Sequence, residues 1–191
     1  MNEQFDTLAV IKGYLEIAKK PKGAKDWKIE HRQNIIVSNA REIVRDLVFG
    51  KKQMGVDHEN NPVWESAPLI TSLGMGDMGH TLEEAQKSVP EPTIADRVLV
   101  NPTYWCPVHD EVNYPNNTVE VLDWKGKKAI KFVFVIGQDQ GNTASGFFCE
   151  LGLCIDTTKF PDSYLFSKIN KSPPISKAEG DEIMISYYLT F

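Results

Sequence analysis

The six residues Gly74-Met75-Gly76-Asp77-Met78-Gly79 carry the spacing G-x-G-x-x-G. In a dinucleotide-binding unit, such glycines end a strand, bring the backbone against a pyrophosphate and open a long helix. An acidic residue about 20 positions on then takes the ribose. Here the preceding apolar run LITSL is short and follows Pro68, and TLEEAQKSV must stop before Pro90. Asp96 stands near the required offset, but it precedes a β-rich half with no second strand–helix–strand unit. The stretch is therefore expected to be a strand-end turn, with Gly74 and Gly76 letting the chain change direction. No cofactor is expected.

Other reactive side chains are scattered. Cys106-Pro107-Val108-His109-Asp110-Glu111 offers ligand-type groups, but a structural zinc needs about four ligands, from two such clusters. His31, His58 and His80 are isolated from one another, so the default is a polar loop without metal. The three cysteines, Cys106, Cys149 and Cys154, sit in apolar surroundings and read as buried thiols. No serine occupies a G-x-S-x-G elbow. The acidic pairs Glu83-Glu84, Asp110-Glu111 and Asp181-Glu182 are adjacent, and neighbours in a strand point to opposite faces. No catalytic set is visible, and a non-enzymatic protein is expected.

The elements that must position these residues are mostly strands. TLAVIKGYLEIAK (7–19) alternates, Pro21-Lys22-Gly23 reads as a turn, and DWKIEHRQ as a second strand. IIVSNAREIVRDLVF has a helical period, which predicts a helix over about 34–49 capped by Asn34 and ended by Gly50. Residues 51–68 are polar, are broken by Pro62 and Pro68, and read as a loop. Thr81 and Glu84 form a capping-box pair ahead of a short helix. From residue 93 the pattern is β throughout: RVLVNPTYWCPV, NYPNNTVEVLDW, a hairpin turn at Gly126, AIKFVFVIG, FFCELGLCI, YLFSKI and EIMISYYLTF, with SPPISKAEGD as a loop. The expectation is one domain over 1–191, mainly β with one or two short helices (α+β), arranged as an antiparallel β-sandwich.

Composition narrows the partners. A formal net charge of −5 argues against a general nucleic-acid binder, and the basic run Lys19 to Lys25 reads as a solvated turn. No apolar run approaches the roughly 20 residues that span a bilayer. MNEQFDTLAV lacks a basic segment followed by an apolar one, so synthesis and folding in a reducing cytosol are expected.

Four stretches, taken in order, resemble a group of tailed-bacteriophage virion proteins of tails, baseplates, necks and fibre attachments. QNIIVSNAREIVRDLVFG is similar to their N-x-I-V-x-x-x-R segment before a short helix. ITSLGMG is similar to their I-x-x-L-G-x-G strand and turn. Phe148-Cys149-Glu150-Leu151-Gly152-Leu153 is similar to their x-E-x-G-L strand. Pro174-Ile175-Ser176-Lys177 before EIMISYYLTF is similar to their P-I-x-K loop and last strand ending in Phe. The resemblance spans about 33–191; the 7–31 strand pair, the 51–68 insert and CPVHDE lie outside it. It implies a structural subunit with a β-rich core, made in the host cytoplasm and carried in the virion. Such a subunit would assemble in several copies with other virion proteins, and would need no membrane or nucleic acid.

Within that pattern Gly74, Gly76, Glu150, Gly152 and Lys177 are the marked structural positions. Glu150 stands in an apolar strand, so a buried carboxylate there needs a partner, and Lys177 or Arg97 is the expected one. Trp64, Trp105 and Trp124 lie beside turns or prolines, as interface anchors or as caps on the core. The alternative reading is a receptor- or glycan-binding module of a tail fibre that uses Trp105.

Overall fold

The computed structural model describes residues 12–36, 51–56, 62–66, 70–108, 110–155 and 165–190, with the backbone alone for 51–56 and 62–66. Nine strands form one antiparallel sheet in the order β6-β5-β9-β10-β2-β1-β11-β8-β7, curled into a half-barrel. They are β1 (Lys12–Lys20), β2 (Lys28–Ile36), β5 (Ser72–Gly76), β6 (Pro102–Pro107), β7 (Thr118–Trp124), β8 (Lys127–Ile136), β9 (Phe147–Cys154), β10 (Leu165–Ser176) and β11 (Glu182–Thr190). A separate two-stranded sheet joins β3 (Lys51–Val56) to β4 (Pro62–Ser66), where a loop was expected. The mainly β, antiparallel expectation is met, with the nine strands in a single curled sheet.

Alternation explains the inner wall. In β8, Phe132, Phe134 and Ile136 are buried, and they stand opposite Tyr187, Ile185 and Ile183 of β11. Leu15 and Ile17 of β1 continue the same face next to Tyr187 and Ile185. Leu73, Met75, Leu151, Leu153 and Ile169 supply the other side of this one apolar cluster. The Tyr187 hydroxyl crosses it, meeting Ser167 Oγ at 2.5 Å and accepting from the Asn34 amide. Asn34 therefore sits inside β2 and not at a helix N-cap. The remainder of the expected helix, 37–49, lies outside the described residues.

β9 is buried at every position because both of its faces are covered. Its outer face packs under a short helix, α1 (Leu82–Lys87), and under a strap formed by residues 97–101. The expected capping box holds α1: the Glu84 N–H donates to Thr81 Oγ1 at 3.4 Å, and the Thr81 N–H donates to Glu84 Oε2 at 2.8 Å. Ala85 then seats against Phe147 and Cys149.

The hairpin between β7 and β8 turns at Lys125 and Gly126, with φ of 51° and 77°. Two successive positive values are those of a type I′ turn, whose twist matches the flanking strands. β10 runs on through Ser172–Ser176, the first part of the expected SPPISKAEGD loop, and pairs again with β9 at Ile175 opposite Phe148 after a shift of register.

Candidate binding cleft

Gly74, Gly76, Gly152 and Glu150 meet on one patch of the outer face. Gly74 stands opposite Gly152, and Gly76 opposite Glu150, in the β5–β9 ladder. Gly74 and Gly76 lie within β5 and turn nothing, which corrects the expectation drawn from their sequence. The reversal comes afterwards, at Met78 and Gly79, with φ of 59° and 72°. The glycines of β5 instead make room. A Cβ on Gly74 would lie 2.8 Å from Leu99 Cδ1 and 3.0 Å from the Trp105 ring. One on Gly76 would press on the Asn101 carbonyl oxygen and lie 2.6 Å from Glu150 Oε1. One on Gly152 would lie 3.0 Å from Ser167 O and collide with Leu165. The backbone that a pyrophosphate would need is thus covered by the chain itself, with a carboxylate on top.

Glu150 has 0% exposure and holds the strap down. Its Oε2 accepts from Val100 N–H at 2.9 Å and its Oε1 from Asn101 N–H at 2.8 Å. Lys168 Nζ lies 3.4 Å from Oε2 and also reaches Asp96 at 3.3 Å. A carboxylate that takes two N–H groups and an ammonium satisfies the demand of a buried charge. Lys168 meets the expected need for a partner. Lys177 is buried elsewhere and donates to Asn142 Oδ1 at 2.9 Å and Gln138 O at 3.3 Å, pinning the 138–142 loop. Burial pushes its ammonium below the ordinary lysine range. Lys168 was missed because its only signal is strand register, opposite Gly152 and one step from Glu150.

The three tryptophans separate. Trp105 packs over Gly74 against Leu99, Cys154 and Leu165, so it caps the core. Trp64 lies in β4 opposite Gln53, and its side chain is outside the described residues. Trp124 lies in an open cleft of about 320 Å³ on the outer face. Its ring stacks on Tyr188, with centroids 4.7 Å apart and planes 20° apart, and meets Tyr14 at 4.8 Å with a 53° tilt. Lys125 Nζ sits 4.3 Å from the Trp124 centroid, and Lys131 Nζ 5.7 Å from that of Tyr188. Strand register builds the cleft: Tyr14 is opposite Tyr188 on one side and Gln33 on the other, while Glu16 is opposite His31. The β7–β8 hairpin, whose tip carries Trp124 and Lys125, forms the remaining wall.

The other ligand-type groups stay dispersed. Among the described residues no three of His, Cys, Asp or Glu gather as a metal site; His109 lies outside them. Asp110 instead accepts from Val112 N–H, Asn113 N–H and the Asn113 amide, closing a turn. Burial raises the Cys106 and Cys149 thiols to about 12. Burial also pushes Cys154 up, so all three are held as thiols and not as reactive thiolates. Among the described residues no helix is long and apolar enough to cross a membrane.

Comparison with family models, curated proteins and solved structures finds no match.

Proposed function

We propose that this chain is a structural subunit of a bacteriophage virion, in the tail, baseplate, neck or fibre-attachment region, and that it acts by subunit–subunit contact and not by catalysis. In this reading the walls β1-β11-β8 and β5-β9-β10 serve as the two layers of a sandwich-type core, and the sheet edges dock.

The observation that carries it is the edge strand β7. Val119 and Val121 stand opposite Phe132 and Ile130, on the side of the sheet that faces the core, yet they are 40% and 81% exposed. β7 pairs with β8 alone, which leaves its other edge of N–H and C=O groups unpaired among the described residues. An apolar strip beside an open ladder fits a strand from a neighbouring subunit, which would continue the sheet and cover both valines. A second copy of this chain is the simplest such neighbour. The order of the four sequence stretches supports the same reading.

The test is incorporation. Antibody against the chain should label tail structures of particles purified from the source lysate. A Val121→Glu chain with unchanged melting should be missing from them. Absence of the unaltered chain from particles would remove the proposal, and normal incorporation of Val121→Glu would remove the β7 contact.

A further inference from the structure

The Tyr14–Trp124–Tyr188 cleft lies on the outer face of the sheet, opposite to the face on which Val119 and Val121 stand. We infer that it is a binding site for a neutral saccharide, taking a pyranose ring against its aromatic wall.

Three features point to that class of ligand. Ligand sites combine aromatic lining with a few fixed polar groups. Here the aromatic part is the Trp124 ring with Tyr188 and Tyr14 beside it, at centroid distances of 4.7 and 4.8 Å. A sugar ring presents C–H groups on its faces and hydroxyls around its rim, so it suits an aromatic wall edged by planar polar side chains. Gln33 and Glu16 are those side chains. Each is held beside an aromatic or a histidine by cross-strand pairing, Gln33 to Tyr14 and Glu16 to His31, with His31 Nδ1 3.6 Å from Glu16 Oε2. They stand on adjacent paired strands, so their spacing is set by the sheet and not by a loop.

Size and charge narrow the class. A volume of about 320 Å³ is at the small end of ligand pockets, enough for one or two sugar units. Of the charged groups lining the cleft, Lys125 is balanced by Glu16 and Arg32 pairs with Glu30 at 3.3 Å, while Lys131 lies over Tyr188 at the border. A nucleotide also stacks on aromatics, but its phosphates call for a continuous basic groove, whereas of the two basic side chains lining this cleft besides His31, Lys125 lies over the Trp124 ring and Arg32 is paired with Glu30. Lys125 lies over Trp124 on a hairpin tip, where its long side chain can swing aside when a ring enters.

The probes are cellohexaose and N-acetylated chitohexaose, added to the full chain and read by saturation-transfer NMR and calorimetry. Transfer from aromatic protons to the pyranose ring is expected for at least one of them, with a dissociation constant of about 1 mM or tighter. Trp124→Ala should weaken binding by about tenfold or more. Gln33→Ala, at an exposed position that cannot unfold the core, should weaken it severalfold, while Trp27→Ala should leave it unchanged. Gln33→Ala carries the test if Trp124→Ala does not fold. No transfer from either sugar, transfer that survives Gln33→Ala and Trp124→Ala, or tighter binding of hexagalacturonate or an oligothymidylate would each overturn the assignment.

Discussion

Glu150 shows what one buried charge can organise. Its carboxylate replaces ladder partners for Val100 and Asn101 and neutralises Lys168, so three segments depend on one side chain. Glu150→Gln keeps the shape but turns one acceptor oxygen into an NH2 group facing a backbone N–H, and it leaves Lys168 with only Asp96 among the acids named around it. Removing one member of a buried charged set costs more than the set contributes, because the remaining groups stay buried. The expected loss is about 2–4 kcal/mol, read from urea unfolding. A loss below about 0.5 kcal/mol, the ordinary range for surface changes, would show that the strap does not depend on this carboxylate.

At the scale of elements, the strap and the β5–β9 pair are complementary shapes. Gly76 and Gly74 face it differently: Gly76 meets a backbone carbonyl, at Asn101, whereas Gly74 meets the ends of side chains, at Leu99 and Trp105. Side chains can shift by a few tenths of an ångström; the Asn101 backbone is tied to Glu150. Gly76→Ala should therefore cost more than Gly74→Ala, about 3 kcal/mol against about 1 kcal/mol within the usual range for overpacking. Hydrogen exchange should also show the Val100 and Asn101 amides opening in Gly76→Ala. Equal costs, with those amides still protected, would contradict the close approach.

For the whole molecule, the curl of the sheet brings β6 beside β8, and Asn117 spans the gap. Its Nδ2 donates to Pro107 O at 2.6 Å, and its Oδ1 accepts from Val135 N–H at 2.7 Å. Carboxylates fasten the loops at other points. Burial pushes Asp181 up, but bonds from Lys19, Lys22 N–H and Ala178 N–H outweigh it and hold it below the ordinary 3.8. Asp77 and Asp96 are also lowered: burial opposes, and hydrogen bonds from Gly79 N–H and Asn101, or from Thr93 and Lys168, prevail. A carboxyl lowered on folding contributes stability that is complete above its unfolded value and is lost as pH falls through the folded one. Stability should therefore fall below about pH 4. Asp181→Asn should be less stable at pH 7 and lose less on acidification, as thermal melts from pH 7 to 3 would show. A variant whose acid decline matches the parent would rule out Asp181 as a contributor.

Local chemistry in the sequence was enough for the features it could encode by itself. Thr81 and Glu84 are three residues apart, so their capping box is legible, as are the alternation in β8 and the turn at Gly126. Glu150 announced its need for a partner because charge in an apolar strand is costly. The sequence misled where long-range contacts decide. RVLV alternates like a strand, yet residues 97–101 became a strap because Glu150 took the N–H groups of Val100 and Asn101. KKQMGV and PVWES carry no clean apolar pattern, and only pairing with each other makes them strands. The glycines of GMGDMG looked like a turn, but what requires them is the crowding of Leu99, Trp105 and Asn101, residues that fold back from more than 20 positions downstream. Sequence determined the β-rich composition and the helix cap. Tertiary structure alone decided that Trp105 is core and Trp124 lines a cleft, and that Lys168 meets Glu150. Register across the sheet, which no short stretch contains, sets those neighbours.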